Sequence, residues 1–269
     1  MAQLKFAVRE HMAPGRTIRE KFENLARIGL SGIEIVASST PECFEEIRSA
    51  KEATGIVPAI WSVREGAILD ARKPERDKFV KAIKEVLEMC GALGGVGVIV
   101  VPLLPIKMGG RPRIPDLSPW KSQSELEREL LITILKELAP HAVQHNSCII
   151  VEPLNRYEQW FPNRVEQGVA ICKAVGSVGV ATMADFFHMN IEEADMVAAI
   201  RCGGKYIRHV HLADSNRWLP GYGHTNFAPA INALREIGYD GFYGFECHIP
   251  GDPFEELPKA MRYIEDCLA

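Results

Sequence analysis

Eight short runs of β-branched and other apolar residues recur along this chain, and this repeat limits its fold more than any other feature. Between the runs lie longer stretches in which apolar residues return every three or four positions, the period of a helix with one buried face. The predicted strands are 5–8, 32–36, 57–63, 96–101, 148–152, 180–185, 206–211 and 242–246. Strands that alternate with helices form parallel sheets, because each helix carries the chain back to the same edge.

The number of units favours a closed barrel. Eight units in 269 residues give about 34 residues each, the length of a strand and its returning helix in a (β/α)8 barrel. No Ser/Gly-rich linker or block of charge divides the chain, so we predict a single α/β domain over 1–269, a (β/α)8 TIM barrel. An open doubly wound sheet is the alternative that the same alternation allows.

Charge and composition exclude several classes of protein. The 31 basic and 35 acidic residues leave a net charge of −4, and no basic run could follow a phosphate backbone, so nucleic acid is not an expected partner. No stretch reads as a signal peptide or a membrane span, and we expect a cytoplasmic protein without a membrane partner. The seven cysteines include no C-x-x-C pair, which argues against a thiolate zinc site.

One connection differs from the others. The segment 102–122 contains five prolines and two glycines, a composition that disfavours a regular helix. Loops of this length on compact domains are commonly functional, and this one follows the fourth strand, at the end of the barrel where active sites form. We predict that 102–122 is a lid over the active site, with packing against another subunit as the alternative.

Four potential metal ligands end four consecutive predicted strands. They are Glu152, Asp185, His211 and Glu246. Because the ends of parallel strands meet at one mouth of a barrel, we expect these side chains to converge. Three carboxylates in one place repel each other, and a divalent cation held together with the histidine would relieve that repulsion. An oxygen-rich site of this kind favours one Mn²⁺, with Co²⁺ or Mg²⁺ as alternatives.

The sequence around these ligands resembles a known superfamily. The resemblance lies in VEPLNRYE at 151–158, ADFFHMNI at 184–191, HVHLADSNR at 209–217 and FEC at 245–247. These stretches are similar to the sugar phosphate isomerase/epimerase superfamily, whose members have a xylose isomerase-like barrel. They look most like its ketose 3-epimerase branch, which includes the D-tagatose and D-psicose 3-epimerases. The resemblance is specific over 148–250 and elsewhere rests on the order of strands and helices.

The resemblance assigns roles to individual residues. It implies that the four strand-end residues are metal ligands and that two of them, Glu152 and Glu246, are also the catalytic acid/base pair. It further implies that Glu158, His188 and Arg217 hold the oxygens of a small sugar substrate. We expect the protein to assemble as a homodimer or homotetramer.

The chemistry of the residues agrees with epimerisation at C3. Inverting a carbon next to a ketone removes a proton, passes through an enediolate and returns a proton to the opposite face, which requires two bases and stabilisation of the developing charge. The residues leave two alternatives open. An aldose–ketose isomerase of the hydroxypyruvate or pentose type, or an inosose dehydratase, would use the same metal and a similar enediolate.

Basic residues in the first half of the chain raise the question of substrate charge. Five of them lie in or beside loops at the expected active-site end: Arg9, Arg64, Lys107, Arg111 and Arg113. If two or three converge on the far end of the substrate, an acidic ligand such as a keto-acid sugar is favoured over a neutral ketose. The alternative is that these residues are solvated or paired with carboxylates.

Three further histidines are expected to lie outside the chemistry. His209 precedes His211 by two residues and therefore points the same way, deeper in the barrel, as a core histidine. His141 and His145 have the i, i+4 spacing that suits a metal on a helix. They end a helix on the outside of the barrel, however, and we expect them to be solvated.

Overall fold

The strands of this chain are buried along almost their whole length, as expected where helices cover the outside of a parallel sheet and side chains fill the inside. The computed structural model describes residues 4–268. Its strands are β1 (Lys5–Arg9), β2 (Gly32–Ile35), β3 (Val57–Ser62), β4 (Gly97–Val100), β5 (Ile149–Val151), β6 (Val180–Asp185), β7 (Ile207–Leu212) and β8 (Phe242–Phe245). They pair in parallel in chain order, and β8 pairs with β1 to close the barrel.

Helices connect the strands around the outside of the barrel. They are α1 (Ile18–Ile28), α2 (Phe44–Thr54), α3 (Lys73–Ala92), α4 (Leu104–Lys107), α5 (Gln123–Gln144), α6 (Val165–Val175), α7 (Phe186–Glu192), α8 (Met196–Gly203), α9 (Phe227–Glu236) and α10 (Pro253–Asp266). Among the described residues, no helix combines the length and apolarity needed to cross a bilayer.

Local sequence signals explain where the longer helices begin. Thr17 accepts a hydrogen bond from the backbone of Glu20, and the Glu20 side chain accepts one in return from the backbone of Thr17, so α1 starts with a capping box. Ser122 and Glu125 form the same arrangement at the start of α5. Gly29 ends α1 at a φ of 96°, a backbone conformation that glycine adopts without strain.

The closed barrel confirms the predicted fold and excludes an open doubly wound sheet. All eight predicted strands are present, with bounds that differ by at most one residue. Glu152 and Glu246 each lie one residue beyond their strands, β5 and β8, and His211 is followed by one more residue of β7. Residues 1–3 and 269 of the predicted domain lie outside the described part of the chain.

Residues 102–122 contain one short helix, although their composition disfavours a regular helix. Helix α4 begins at Leu104 with Pro105 in its first turn, a position at which proline forfeits no helical hydrogen bond. Beyond Lys107 the segment is irregular apart from a bridge between Leu117 and Lys121. The prolines therefore limit the helix to one turn but do not prevent it.

The inside of the barrel changes from apolar to charged along the strand direction. Every second residue of a strand faces inward, and the lower inward positions form an apolar cluster that includes Ile150 and Met183. Two residues further along the same strands come Glu152 and Asp185. Because of this alternation, Glu152 and Asp185 lie directly above an apolar layer that fills the barrel, at the end where the strands finish.

Candidate metal centre and active site

Four polar side chains from consecutive strands meet at the mouth of the barrel. One oxygen or nitrogen from each of Glu152, Asp185, His211 and Glu246 lies within 4.8 Å of all the others. His211 is at the centre of the group. Its Nδ1 lies 3.0 Å from Glu246 Oε2, 3.2 Å from Asp185 Oδ2 and 3.4 Å from Glu152 Oε1. The expected convergence of these side chains is therefore present in the fold.

The carboxylates determine the protonation of His211. Burial lowers the pKa of this imidazole, but the nearby carboxylates, Glu34 and Glu246 foremost, outweigh burial and hold its pKa well above the ordinary value. A buried group of three carboxylates thus draws positive charge to the point where His211 Nδ1 faces them. A cation bound among these atoms would also neutralise the negative charge of the carboxylates.

The two glutamates of the cluster have pKa values shifted in opposite directions. Burial raises the pKa of Glu152, and the neighbouring carboxylates add to that effect. Burial also acts on Glu246, but His211 and Arg9 outweigh it and lower the pKa of this carboxyl. Arg9 Nε lies 3.1 Å from Glu246 Oε1. One glutamate therefore binds a proton more readily than the other, although both lie at the same mouth.

Glu34 contacts the cluster from β2, and the sequence analysis did not identify it. It is fully buried in β2, where Glu34 Oε2 lies 3.1 Å from His211 Nε2 and Glu34 Oε1 lies 2.8 Å from His209 Nε2. An acidic residue inside the apolar run GIEI was the available signal, since a buried carboxylate requires partners. His209 is buried, as predicted for a core histidine. A side chain on Gly244 would begin 2.1 Å from Glu34 Oε1, so this glycine makes room for the pair.

A cavity of about 240 Å³ opens beside the cluster. It is smaller than the roughly 300–1,000 Å³ typical of sites for drug-sized ligands, and it suits a monosaccharide. Its lining includes Glu152, Glu246 and all three residues expected to hold substrate oxygens, namely Glu158, His188 and Arg217. The wall from β2 to β4 is different, since it is largely apolar: Val36, Ser62, Val63, Ile99 and Val101.

His188 presents a hydrogen-bond donor to this cavity. Its Nδ1 accepts hydrogen bonds from the backbone and side-chain nitrogens of Asn155, at 3.2 Å and 2.8 Å, so the proton of a neutral ring is on Nε2. Within residues 4–268, Nε2 is buried and has no hydrogen-bond partner. Asp185 fixes the backbone here, because its Oδ1 accepts from the His188 amide at 3.0 Å. Asn155 was not identified from the sequence.

Arg217 reaches the cavity from a loop with an unusual backbone. Its φ is 62°, a left-handed conformation rarely found outside glycine, and buried Asp214 supports it. The Asp214 side chain accepts hydrogen bonds from the amides of Thr225 and Gly221, and its carbonyl accepts one from the Arg217 amide. The guanidinium then lies 2.8 Å from Glu158 Oε1. Loop geometry, rather than helix or strand periodicity, orients this side chain.

The five basic residues of the first half do not converge on the cavity, so the condition under which the sequence favoured an acidic substrate is not met. Arg9 alone among them lines it. The others contact protein groups: Arg111 with Asp70 and Glu75, Arg113 with Glu127, Lys107 with the carbonyl of Arg156, and Arg64 with the carbonyl of Ala37. These four side chains already form hydrogen bonds with carboxylates and carbonyls of the protein, so they are not directed at a substrate.

A larger cavity, of about 480 Å³, lies at the opposite end of the barrel. Its lining includes Lys5, Arg208, Tyr239 and Phe242, at the starts of strands, and none of the four clustered ligands. In barrels of this type the chemistry occurs where the strands end, and the bottom face serves stability. The smaller cavity is therefore the candidate active site.

Comparisons with known proteins agree with this geometry. Residues 22–267 match the family described as xylose isomerase-like TIM barrels. That match spans most of the chain, and the protein belongs to this family.

The relatives narrow the class further. A 3-dehydro-D-guloside 4-epimerase of Escherichia coli (strain K12) is 28% identical over 253 residues, 93% of this chain and 95% of the relative. An L-ribulose 3-epimerase of Mesorhizobium japonicum is 30% identical over 199 residues, 74% of this chain and 64% of the relative. These names confirm, at the level of the family, the predicted class of carbohydrate epimerases among the isomerases.

Solved structures of similar proteins share the whole fold. The apo crystal structure of a 3-keto-D-glucoside 4-epimerase from Escherichia coli superposes with a TM-score of 0.86 at 24% identity and covers 98% of this chain and 100% of its own. A D-psicose 3-epimerase from Clostridium cellulolyticum H10, solved with D-tagatose, gives a TM-score of 0.78 at 22% identity, with 98% and 97% covered. At these identities the likeness establishes the fold alone.

Proposed function

We propose that this protein is a metal-dependent carbohydrate epimerase that inverts the carbon next to a ketone. The observation that carries the proposal is the meeting of three carboxylates and one imidazole nitrogen within 4.8 Å at the barrel mouth. The proposed ligands are Glu152, Asp185, His211 and Glu246. An oxygen-rich set with a single imidazole favours Mn²⁺, with Co²⁺ or Mg²⁺ as alternatives.

The hydrogen bonding of the cluster supports a metal at this point. If the Nε2–H of His211 donates to Glu34, a bound metal would displace the proton from Nδ1 and take its lone pair, on the side where the three carboxylates lie. A carboxylate behind a ligating histidine fixes the ring and increases its basicity. Glu152 Oε1 is buried without a hydrogen-bond partner in the described chain, as expected of an oxygen that binds a cation. When bound, the metal would withdraw electrons from the ketone and stabilise the enediolate charge.

We assign the proton transfers to Glu152 and Glu246. They follow the non-adjacent strands β5 and β8, so their carboxyl groups can face the two sides of a substrate held between them. One glutamate removes the proton beside the ketone, and the other delivers a proton to the opposite face of the enediolate.

Three residues of the cavity would orient the sugar. His188 offers its Nε2–H as a donor, and burial excludes water that would compete for it. Arg217 and Glu158 form an ion pair whose polar atoms line the cavity, so they can exchange part of their mutual contact for hydroxyl groups of the substrate. Asn155 is a positioning residue in this scheme, because it holds the ring of His188 in the tautomer that donates.

The proposed substrate is a neutral sugar with a ketone. The apolar wall from β2 to β4 and the pairing of Arg111 and Arg113 with carboxylates favour a neutral ketose over a keto-acid. A ketose would be inverted at C3. A glycoside oxidised at C3 would be inverted at C4, which also neighbours a ketone, and the named activity of the Escherichia coli relative that spans 93% of this chain supports this second candidate.

We propose further that 102–122 closes over the substrate. Leu104 lines the cavity, and the backbone amide of Leu103 lies 3.3 Å from the side-chain oxygen of Gln159 on the loop that follows β5. Arg113 stacks on Trp160 of the same loop, with 3.9 Å between guanidinium and ring centre. A lid that bridges these two loops would exclude water from the enediolate. The mass of the protein in solution tests the expected homodimer or homotetramer and the alternative role of this segment at an interface.

Product analysis tests the proposed activity. The protein is freed of metal by chelation, reloaded separately with Mn²⁺, Co²⁺ or Mg²⁺, and incubated with free ketoses, 3-keto glycosides, keto-acid sugars and inososes. We expect no turnover after chelation, recovery with Mn²⁺ or Co²⁺, and an epimer of a ketose or of a 3-keto glycoside as product. An aldose or a dehydrated product would indicate the isomerase or dehydratase alternative, and full turnover after chelation would contradict the proposal.

A further inference from the structure

A second group of metal-ligating side chains lies on the outside of the barrel, away from the mouth. It consists of Glu88 on α3, His141 on α5 and His145, the residue at which α5 ends. One ligand atom from each lies within 4.8 Å of the other two. His141 Nε2 is 3.2 Å from Glu88 Oε1, and His145 Nε2 is 4.0 Å from the same oxygen. We propose that these three residues bind a transition-metal cation of the zinc type.

The helix supplies the spacing that chelation requires. Residues four apart lie on the same face one turn above each other, and the rings of His141 and His145 are 4.5 Å apart between centroids. Two histidines in this arrangement are a recurring zinc-binding pair when a third ligand completes the group. Glu88 is in position to be that ligand, because its carboxylate faces both rings.

A backbone contact holds the two helices together at this point. A side chain on Gly91 would begin 1.7 Å from the carbonyl oxygen of His145, so only glycine permits the approach. Gly91 lies three residues after Glu88, one turn further along the same face of α3. The distance between Glu88 and His145 is therefore set by packed backbone, and the ligands are held close together before any cation binds.

Glu88 differs from the other carboxylates of α3 in its ion-pair partners. The other carboxylates of this helix pair with cationic side chains: Glu75 with Lys78, Asp77 with Lys73, and Glu85 with Lys81. Within the described chain Glu88 has no lysine or arginine partner and faces the two imidazoles alone. A carboxylate that lacks a fixed positive partner and faces two imidazole nitrogens offers a cation both charge and coordination.

The ligand type selects the metal. Two imidazole nitrogens and one carboxylate oxygen suit Zn²⁺, Ni²⁺ or Cu²⁺ better than Mn²⁺ or Mg²⁺, in contrast to the oxygen-rich mouth of the barrel. The side chains are 22% to 50% exposed, which leaves access for the cation and for water at the remaining coordination position. Binding replaces one existing contact, since His141 Nε2 also lies 3.2 Å from the carbonyl oxygen of Lys84.

Zinc stoichiometry tests the site. Chelated protein is titrated with Zn²⁺ by calorimetry, and we expect two zinc ions per chain for the wild type. His145→Ala and Glu88→Gln are expected to lose one of the two. Glu85→Gln, on the same helix and outside the group, is the matched control and should keep both. Asp185→Asn should weaken the ion at the mouth and leave the outer one intact, which separates the two sites.

The melting temperature distinguishes zinc that bridges α3 and α5 from zinc that associates loosely with the surface. Zinc that bridges α3 and α5 stabilises the folded state, so it should raise the melting temperature of Asp185→Asn, and this rise should vanish when His145→Ala is added. Manganese-dependent turnover should be the same in His145→Ala and wild type. A His145→Ala variant with unchanged zinc stoichiometry, or zinc binding that Asp185→Asn abolishes entirely, would overturn the proposal without affecting the proposed epimerase activity.

Discussion

Charged side chains at the mouth and in the loops of the barrel are used in two ways. At the ends of β5 to β8, three carboxylates crowd around one imidazole, so negative charge accumulates at a point. In the segments that follow β3 and β4, several charged side chains pair with one of opposite sign, as Arg111 does with Asp70 and Arg113 with Glu127. Charges of one sign that converge on a point indicate a catalytic or metal-binding site. Charges that pair with their opposites indicate interactions that stabilise the fold.

The matched pairs explain how long loops acquire a fixed shape. Arg113 forms two hydrogen bonds with Glu127, at 2.9 Å and 2.7 Å, while its guanidinium stacks on Trp160. Asp70 is fully buried and accepts two side-chain hydrogen bonds from Arg72. Bidentate pairs of this kind orient both partners. In the first half of the barrel, charged side chains therefore mainly hold the loops in place, and the wall that faces the cavity is largely apolar.

Replacing either glutamate of the proposed acid/base pair should produce the largest effect on activity. Glu246→Gln keeps an oxygen for the metal but removes the proton carrier, so kcat should fall by about 10² or more while metal remains bound. Glu152→Gln should behave in the same way. Turnover is followed by chromatography of the epimers, and metal content by elemental analysis.

A matched control is available for this pair of variants. Glu10 is a buried glutamate of the same barrel end that accepts hydrogen bonds from the backbone of Val36 and Ser38 and does not belong to the cluster. Glu10→Gln should keep kcat within a few-fold of the wild type. Near-normal rates in both Glu152→Gln and Glu246→Gln would contradict the two-base mechanism.

Glu34→Gln should have the next largest effect, on metal affinity. The substitution replaces the carboxylate behind His211 with an uncharged amide, and loss of such a partner typically costs 10–100-fold in metal affinity. Titration of the chelated protein with Mn²⁺ measures this change, and saturating Mn²⁺ should restore most of kcat. An unchanged affinity would mean that Glu34 does not support a metal-ligating histidine.

Breaking a loop pair should affect stability more than catalysis. Arg113→Ala leaves Glu127 buried without its partner, and the free energy of unfolding should fall by about 1–2 kcal/mol. Discrimination between a hexulose and the corresponding hexulosonate, measured as the ratio of kcat/KM, should stay within about twofold of the wild type. Arg113→Lys retains the charge and is the control. A wild-type preference for the acid that disappears in Arg113→Ala would restore the acidic-substrate hypothesis.

The smallest expected effect is a pH dependence at Asp70. Hydrogen bonds from Arg72 lower the pKa of this carboxyl to about 2 from an ordinary value of 3.8. Because the folded-state pKa is the lower one, the stabilisation is complete above pH 4 and is lost as the pH falls toward 2. Asp70→Asn should therefore lower the melting temperature by about 3 °C at pH 6. The two curves should approach each other below pH 4, and a constant difference would contradict this assignment.

The sequence predicted the fold and the proposed ligands for the same reason. Strand alternation and the regular spacing of units determine which residues face inward and where strands end, and both are visible in one chain. Glu34 and Asn155 were missed because their roles depend on partners more than 30 positions away, His211 and His188. The partners of Arg113 likewise depend on how 102–122 folds back onto α5, which local pattern does not reveal.

Solvent deuterium incorporation tests the central claim most directly. Manganese-loaded protein is incubated in deuterated water with the ketose or 3-keto glycoside that it converts, and the product is examined by NMR. Proton removal by one glutamate and return by another, through an enediolate, predicts deuterium at the inverted carbon of the epimer and at no other carbon. It also predicts loss of that exchange in Glu152→Gln or Glu246→Gln. Epimer formed without deuterium at the inverted carbon would contradict the account.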